Sequence, residues 1–238
     1  MPPPEERPLL VLLPGLDGTG LMFEPFLAAL PDFDTQVVRY PEALVSYAAC
    51  IHVVRAQLPK ERPFLLLGES FSGPVAIALA AERPAGLRGL VLCGSFARNP
   101  RPGLAWTGPL LRLLPPMRLP AGMVRFLLLG PWATPPLMDL VRRLLPAVPK
   151  ATLRDRLQAV IAVNETARLG RIAVPTLALA AGHDRLVPAA ALRHLRTHLK
   201  NLDIVTLQAP HWILQARPEA AAQALRDFLV RISPNGQG

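Results

Sequence analysis

Short apolar runs bounded by glycine or proline alternate along the chain with segments in which apolar residues recur at helical spacing. Short continuous apolar runs are typical of strands in a parallel sheet, which helices cover on both faces. The runs predict strands over residues 7–13, 35–39, 64–67, 87–92, 176–180 and 204–207. The segments between them predict helices over residues 44–58, 72–82, 189–199 and 218–231. This alternation predicts an α/β fold with a mostly parallel sheet and helices on both faces.

The pattern changes between residues 99 and 165. This stretch has no strand pattern and instead contains short apolar, arginine-bearing pieces separated by proline or glycine, at residues 110–114, 123–129, 137–145 and 153–163. We therefore expect one α/β core, formed by residues 1–98 and 166–238, with a helical cap inserted at residues 99–165.

Composition supports a folded protein with an uneven charge. Hydrophobic residues make up 51% of the 238 residues and charged residues 18%, which is enough for a large core. The net charge is +9, and residues 98–156 carry nearly all of it, with ten basic and two acidic residues. No basic sheet with interleaved aromatic residues and no DNA-binding motif accompanies this charge, so we expect no nucleic-acid partner. The simplest interpretation of these basic residues is that they lie on solvated helix faces. The alternative is that the basic cap attracts an anionic substrate or the headgroups of a membrane surface.

Other features bound the cellular context. Glu5 and Glu6 stand where a secretion signal would be basic, and the apolar run Leu9–Leu13 is too short to cross a membrane. We expect a soluble, cytoplasmic protein without a transmembrane segment, as a monomer or a homodimer. Cys50 and Cys93 lie in apolar runs and are expected to be buried free thiols, and no metal-binding spacing or cofactor motif is present.

The strongest chemical motif is the hexapeptide Gly68-Glu69-Ser70-Phe71-Ser72-Gly73. It lies between a predicted strand and a predicted helix, where a tight turn with small flanking residues exposes a serine nucleophile. The usual pattern is G-x-S-x-G, and here Ser72 occupies its last position with Gly73 one step later. Serine is small enough for this position, so Ser70 is the candidate nucleophile.

A serine nucleophile needs a base, and His211 is the candidate for it. His211 lies in the segment Ala209-Pro210-His211-Trp212, after the last predicted strand and near the end of the chain. This is the position in which the base of a serine nucleophile is expected. The remaining histidines are expected to be structural or solvated, and they are His52, His183, His194 and His198.

The histidine in turn needs a carboxylate that fixes its tautomer, and Asp184 is the candidate. It follows the predicted strand 176–180, and the chain order serine, acid, histidine is then the expected one. The earlier strand 87–92 leads into no carboxylate. Asp203 is the next rival and is expected to face solvent ahead of a strand.

The negative oxygen of an acyl-transfer intermediate needs two backbone N–H donors. The residue after the nucleophile supplies one, which is Phe71, and the loop after an early strand supplies the other. That loop is residues 14–20, PGLDGTG, and Leu16 is its expected donor. The glycine-rich loop lacks the following Lys-Ser/Thr of a phosphate-binding loop, which argues against a nucleotide.

These segments together resemble the α/β-hydrolase superfamily. PGLDGTG stands where members often have a His-Gly oxyanion loop, with Pro14 in place of the histidine, and GESFSG, GHDRLVP and APHW match the nucleophile, acid and base segments. The resemblance covers residues 7–232 apart from the insert, which in known members is a lid that shapes the acyl or alcohol pocket. Serine at position 70 excludes the members that use aspartate, such as epoxide hydrolases and haloalkane dehalogenases, and those that use cysteine, such as dienelactone hydrolases.

The expected function is that of a carboxylesterase that cleaves a small-molecule ester through an acyl-enzyme intermediate on Ser70, His211 and Asp184. A thioesterase, a lysophospholipase or an acyltransferase would use the same triad, and a binding module without turnover is a further alternative. LPGLDGTG followed by GESFSG also resembles the hydrolase portion of plant plastid acyltransferases that make fatty-acid phytyl esters.

Overall fold

The computed structural model describes residues 8–106, 108 and 120–233. Its described part contains a six-stranded sheet in the order β2-β1-β3-β4-β5-β6, in which every neighbouring pair is parallel. The strands are β1 (Leu9–Leu13), β2 (Thr35–Val37), β3 (Phe64–Glu69), β4 (Leu87–Cys93), β5 (Thr176–Ala181) and β6 (Leu202–Leu207). The predicted parallel sheet is confirmed.

The apolar runs form strands because both faces of the sheet are buried. In β1, Val11 and Leu13 join the apolar cluster on one face, while Leu10 and Leu12 join the cluster on the other. Side chains of a strand point alternately to its two faces, so only a continuous apolar run can fill both clusters.

Helices flank the strands and fill the segment between β4 and β5. Those in the described residues are α1 (Glu24–Ala28), α2 (Tyr47–Gln57), α3 (Gly73–Ala81), α4 (Ala121–Val124), α5 (Pro135–Ala147), α6 (Lys150–Ala162), α7 (Thr166–Leu169), α8 (Ala189–His198), α9 (Ile213–Ala216) and α10 (Pro218–Ile232). A π-helical turn, Arg125–Leu129, continues α4. The α2, α3 and α8 helices cover one face of the sheet, and α1, α9 and α10 cover the other, as predicted.

Capping explains where α2 begins. The apolar pattern predicts its start at residue 44, but Ser46 has an extended backbone and caps the helix. Its hydroxyl accepts a hydrogen bond from the Ala49 N–H at 3.2 Å.

Strand β3 is longer than predicted. It continues two residues beyond its predicted end and stops at Glu69, directly before the candidate nucleophile Ser70.

The segment between β4 and β5, residues 99–165, is called the insert below. Its two ends lie side by side: the Glu165 N–H donates to the Ala97 carbonyl at 2.7 Å, and the Asn99 N–H donates to the Val163 carbonyl at 3.0 Å. Its described residues contain helices and no strand element. The predicted helical piece 110–114 lies outside the described residues. The insert therefore leaves the sheet and returns to it at one point.

The insert packs onto the sheet edge through apolar side chains. Leu140 and Leu144 of α5 form an apolar cluster with Met22. The partly buried Trp212 packs against this cluster. Val141 lies one step around α5 and packs against Leu129. The spacing of three to four residues gives α5 one apolar stripe, and that stripe faces the core.

The positive charge of the insert is arranged differently from the expectation. Arg156 of α6 has no exposed surface, so the prediction of a solvated helix face is wrong for this residue. Three further arginines of the insert form ion pairs, and these pairs are Arg142–Asp139, Arg143–Glu24 and Arg154–Asp155.

Candidate active site

The candidate residues meet at the carboxyl edge of the sheet. Ser70 follows β3, Asp184 follows β5, His211 follows β6 and Leu16 follows β1. β2 pairs with one side of β1 and β3 pairs with the other, so the strand order reverses at β1. Ligand sites of open α/β sheets lie at such a reversal, beyond the carboxyl ends of the strands.

Ser70 lies on a sharp turn from β3 into α3. Its backbone is left-handed, with a φ of 46°, which is unfavourable for a residue other than glycine. Gly68 makes the turn possible, since a Cβ there would lie 2.7 Å from the Ser72 carbonyl oxygen. A Cβ on Gly73 would lie 1.7 Å from Ser95 Oγ, and this hydroxyl donates to the Ser70 carbonyl at 2.6 Å. The strained turn is therefore held by close packing and leaves the Ser70 side chain partly exposed.

Ser70, His211 and Asp184 form one hydrogen-bonded line. The Ser70 Oγ lies 2.9 Å from His211 Nε2, and His211 Nδ1 lies 2.8 Å from Asp184 Oδ2. The side chains of His211 and Asp184 are buried, with 3% and 6% of their surface exposed. The carboxylate can only accept, so Nδ1–H donates to Asp184 and Nε2 is left to accept the Ser70 hydroxyl proton.

Backbone groups fix the acid and the histidine. The other oxygen of Asp184, Oδ1, accepts hydrogen bonds from the N–H groups of Leu186 and Val187, each at 2.8 Å. Gly94 lies behind the imidazole with a φ of +53°, and a Cβ there would lie 3.2 Å from the His211 carbonyl oxygen. The loop after β4 therefore supplies close backbone packing instead of a carboxylate.

The rejected candidates lie in other arrangements. His52 is exposed on α2, His183 bonds Gln208 at 2.9 Å, and His194 bonds Thr166 at 2.9 Å. His198 lies next to His194 on α8. Asp203 lies inside β6, not ahead of it as predicted, and it is exposed and paired with Arg231 at 3.2 Å.

The residue in the usual glycine position, Ser72, ties the nucleophile turn to the loop after β1. Its buried hydroxyl donates to the Pro14 carbonyl, which directly precedes the Gly15–Leu16 segment. Since that proton is used, the Tyr40 hydroxyl donates to Ser72 Oγ, at 2.7 Å. Burial raises the pKa of Tyr40 far above its ordinary value, so this hydroxyl keeps its proton. The two segments that carry the predicted donors Leu16 and Phe71 are thus joined by a side-chain bond that glycine could not make.

The Phe71 side chain anchors the turn on its buried side. Its ring stacks on Tyr47 of α2, with 4.7 Å between ring centroids, and meets Tyr40 edge-on at 6.3 Å. Stacked and edge-on aromatic pairs stabilise a fixed ring position. The packing of its ring therefore restricts the position of Phe71, the residue that carries the predicted backbone N–H donor.

Glu69 and Gln215 are functional-site neighbours that the sequence did not reveal. Glu69 is buried beside Ser70, accepts a hydrogen bond from Gln215 Nε2 at 2.8 Å, and also accepts one from the Gly15 backbone. Burial raises the pKa of Glu69 from 4.5 to about 7, although these hydrogen bonds lower it. Gln215 lies on the short helix α9, directly after the His211 loop, and no sequence motif indicated that it reaches the site.

The insert covers the acid side of the site. Arg185 follows Asp184, donates to the Phe126 carbonyl at 2.6 Å and stacks over the Phe126 ring at 4.1 Å. Trp132 lies against His183 with 5.1 Å between ring centroids. A cavity of about 360 Å³ lies between these groups, and Asp184 and Pro210 line its core side.

The described residues contain neither a metal-binding cluster nor a membrane-spanning helix. Among residues 8–106, 108 and 120–233, no group of three histidine, cysteine, aspartate or glutamate side chains is placed to hold a metal ion. Within the same ranges no helix is long and apolar enough to cross a membrane. Cys50 and Cys93 are buried and unpaired with each other, as predicted.

The sheet topology, the strained serine turn and the order of the three side chains define a hydrolase of the α/β type. A model of the α/β hydrolase fold family matches residues 8–217, and the chain belongs to this family. The resemblance found in the sequence is confirmed.

Individual relatives agree with the family. The chain is 31% identical over 194 residues to the pimeloyl-(acyl-carrier protein) methyl ester esterase of Neisseria meningitidis serogroup C, a match that covers 76% of this chain and 74% of that protein. It is 26% identical over 242 residues to phytyl ester synthase 1, chloroplastic, of Arabidopsis thaliana, covering 85% of this chain and 34% of that protein. A solved hydrolase from Pseudomonas aeruginosa superposes with a TM-score of 0.79 at 25% identity, over 94% of this chain and 90% of that one.

Proposed function

We propose that this protein, a carboxylic ester hydrolase, works through an acyl-enzyme intermediate on Ser70. The observation that carries the proposal is the hydrogen-bonded line from Ser70 through His211 to Asp184, with separations of 2.9 and 2.8 Å. A serine hydroxyl is a weak nucleophile unless a base accepts its proton, and this arrangement provides the base and the group that orients it.

In the proposed reaction, Ser70 Oγ attacks the ester carbonyl carbon while its proton passes to His211 Nε2. Asp184 stabilises the imidazolium that forms and keeps its ring in place. The protonated His211 then gives its proton to the leaving alcohol, and the C–O bond breaks to leave the acyl group on Ser70. Water, deprotonated by His211, attacks the acyl-enzyme and releases the carboxylic acid.

We assign the oxyanion hole to the backbone N–H groups of Leu16 and Phe71. The Ser72 hydroxyl bond to Pro14 holds their two segments together, and this supports the assignment. Donors fixed before the reaction stabilise the developing charge without reorganisation, and loss of one such donor typically costs about 10²–10³ in turnover.

We further propose that residues 99–165 act as a cap that shapes the acyl pocket. The cavity of about 360 Å³ beside Asp184 is lined from the insert side by apolar side chains, among them Leu127, Leu129 and Trp132. Small-molecule sites combine apolar walls with polar groups that orient the ligand, and here His183, Asp184 and Arg185 supply the polar part of the lining.

Hydrolysis of p-nitrophenyl esters from acetate to palmitate tests the function. We expect activity that peaks at one acyl-chain length, and we expect Ser70→Ala to lower kcat by roughly 10⁴-fold or more. Folded Ser70→Ala protein with unchanged turnover would contradict the role of Ser70. A flat profile across all chain lengths would contradict the acyl pocket under the insert.

Acyl transfer is the second candidate, because the chain resembles phytyl ester synthase 1 over 85% of its length. In that reaction an alcohol replaces water in the second half of the same mechanism. Adding a long-chain alcohol to the ester assay separates the two: a transferase forms the new ester in preference to the free acid, whereas a hydrolase forms mainly acid.

A further inference from the structure

Among the residues that the structure describes, the largest side chain without exposed surface is that of Arg156, on helix α6 of the insert. A buried guanidinium needs partners for its charge and its five N–H groups. Here each N–H donates to a backbone carbonyl: Nε to Leu44 at 2.9 Å, Nη1 to Leu16 and Asp17 at 3.0 and 2.7 Å, and Nη2 to Tyr40 and Pro41 at 3.3 and 3.1 Å.

Two of these carbonyls belong to the turn that carries the proposed oxyanion donor. The Gly18 N–H donates to the Gly15 carbonyl at 3.1 Å and closes a four-residue turn with Leu16 and Asp17 at its centre. Arg156 binds the carbonyls of both central residues and so fixes the orientation of two peptide units of the turn. The remaining peptide unit, between Gly15 and Leu16, carries the Leu16 N–H.

The loop is shaped to receive the guanidinium. Gly18 has a φ of +74°, and a Cβ there would lie 2.3 Å from Arg156 Nη1. The Gly18 carbonyl accepts a hydrogen bond from the Tyr40 N–H at 2.8 Å. The turn is therefore also bonded to Tyr40, whose carbonyl accepts from Arg156 Nη2. Peptide flips interconvert turn types at modest energetic cost, and bonds to the central carbonyls remove this freedom.

We propose that Arg156 is a positioning residue, through which the docked insert sets the Leu16 N–H for transition-state stabilisation. This inference rests on the proposed function, since it assumes an oxyanion at Leu16 and Phe71. It makes helix α6 part of the catalytic apparatus, although Arg156 lies 86 residues from the nucleophile in sequence.

The test compares Arg156→Lys with Arg154→Lys in the full-length protein. Arg154 lies on the same helix but is paired with Asp155 near the surface, so it is the matched control. We would measure kcat and KM for p-nitrophenyl butyrate. We would also measure the inhibition constants of a butyryl trifluoromethyl ketone, which binds as a tetrahedral oxyanion, and of butyramide, which resembles the ground state.

Lysine offers three donors where arginine offers five, so it keeps the charge but not the full set of bonds. We expect Arg156→Lys to lower kcat by roughly 10- to 100-fold and to weaken the ketone by a similar factor, because both depend on the oxyanion donors. KM and the butyramide constant should change by less than about threefold. Arg154→Lys should leave all four values within about twofold.

Gly18→Ala is the second variant, in case the lysine variant does not fold. It keeps the arginine but places a methyl group where Nη1 now lies, and the same selective loss of kcat and ketone affinity is expected. Loss of kcat without loss of ketone affinity, or equal loss in the Arg154 control, would overturn the inference alone. Wild-type protein that neither cleaves the ester nor binds the ketone would overturn the proposed function and this inference with it.

Discussion

Glu69 stands beside the nucleophile with its carboxyl group buried, and its electrostatic surroundings are mixed. Asp17 raises the pKa of this carboxyl group and His211 lowers it, while burial has the largest effect and raises it to about 7. Its hydrogen bonds come from Gln215 and from the Gly15 backbone, at the base of the loop that carries Leu16. A single buried carboxyl group therefore connects the nucleophile turn, the loop after β1 and the helix that follows His211.

The raised pKa predicts a pH-dependent contribution to stability. The folded protein holds the Glu69 proton more tightly than the unfolded chain, so this contribution is full below about pH 4.5 and is lost as the pH rises through about 7. Glu69→Gln cannot ionise. We expect the unfolding free energy of the variant, relative to wild type, to rise by about 3 kcal/mol across this window.

Urea denaturation of both proteins at a series of pH values measures this difference. Glu219→Gln, at an exposed position at the start of α10, is the control and should show no comparable change with pH. A difference between wild type and Glu69→Gln that stays constant across the window would show that Glu69 titrates with an ordinary pKa.

At the scale of elements, the site depends on bonds between loops that are distant in sequence. Ser72 in the turn after β3 holds Pro14 in the loop after β1, and Tyr40 after β2 supports Ser72 from behind. A glycine in the same position would permit the turn but would leave the two loops unconnected. The serine therefore joins the nucleophile turn to the loop of the proposed oxyanion donor Leu16, although the sequence indicated only that it was small enough.

Removal of this hydroxyl should affect turnover more than binding. We expect Ser72→Ala and Ser72→Gly to lower kcat by roughly 10- to 100-fold, because the Leu16 segment loses its tie to the nucleophile turn, with KM changed by less than about threefold. Tyr40→Phe keeps the Ser72–Pro14 bond and should cost less than about threefold. Steady-state kinetics on the preferred p-nitrophenyl ester measures these effects, and a Ser72→Gly enzyme as fast as wild type would refute the role of the hydroxyl.

The inner strands β1, β3 and β4 were predictable because both of their faces are buried, which leaves a continuous apolar run in the sequence, whereas the edge strands β2 and β6 are partly exposed. The short helices α1, α7 and α9 were not predicted, since four or five residues show too little of the helical period. Their positions depend on tertiary contacts, as for α9, which packs its buried residues against α1 and α10.

In the molecule as a whole, the meeting of Ser70, His211 and Asp184 at one edge of the sheet was predictable, but the residues that support them were not. The order of the motifs and their positions after strands bring Ser70, Asp184 and His211 to one edge, whatever the details of packing. Arg156 could not be placed in this way, because an arginine in a basic helical segment is usually solvated. Its burial follows only from how the insert folds back over the loop after β1.

The insert is bonded to the core beside the acid as well as beside the oxyanion loop. Arg101, at the start of the insert, donates to the carbonyls of Arg185 and Leu186 at 2.5 and 2.9 Å. Arg101 thus bonds to backbone carbonyls of the core beside Asp184, and Arg156 bonds to backbone carbonyls in the loop after β1. Part of the excess positive charge of this segment therefore serves internal structure, and in Arg156 it is buried.

The role of Ser70 as the nucleophile can be tested by covalent labelling. The protein would be treated with a fluorophosphonate probe, digested, and mapped by mass spectrometry, with Ser70→Ala and His211→Ala in parallel. We expect one adduct, on Ser70, which is absent in Ser70→Ala and forms more slowly in His211→Ala. An adduct on another residue, or one that persists in folded Ser70→Ala protein, would contradict it.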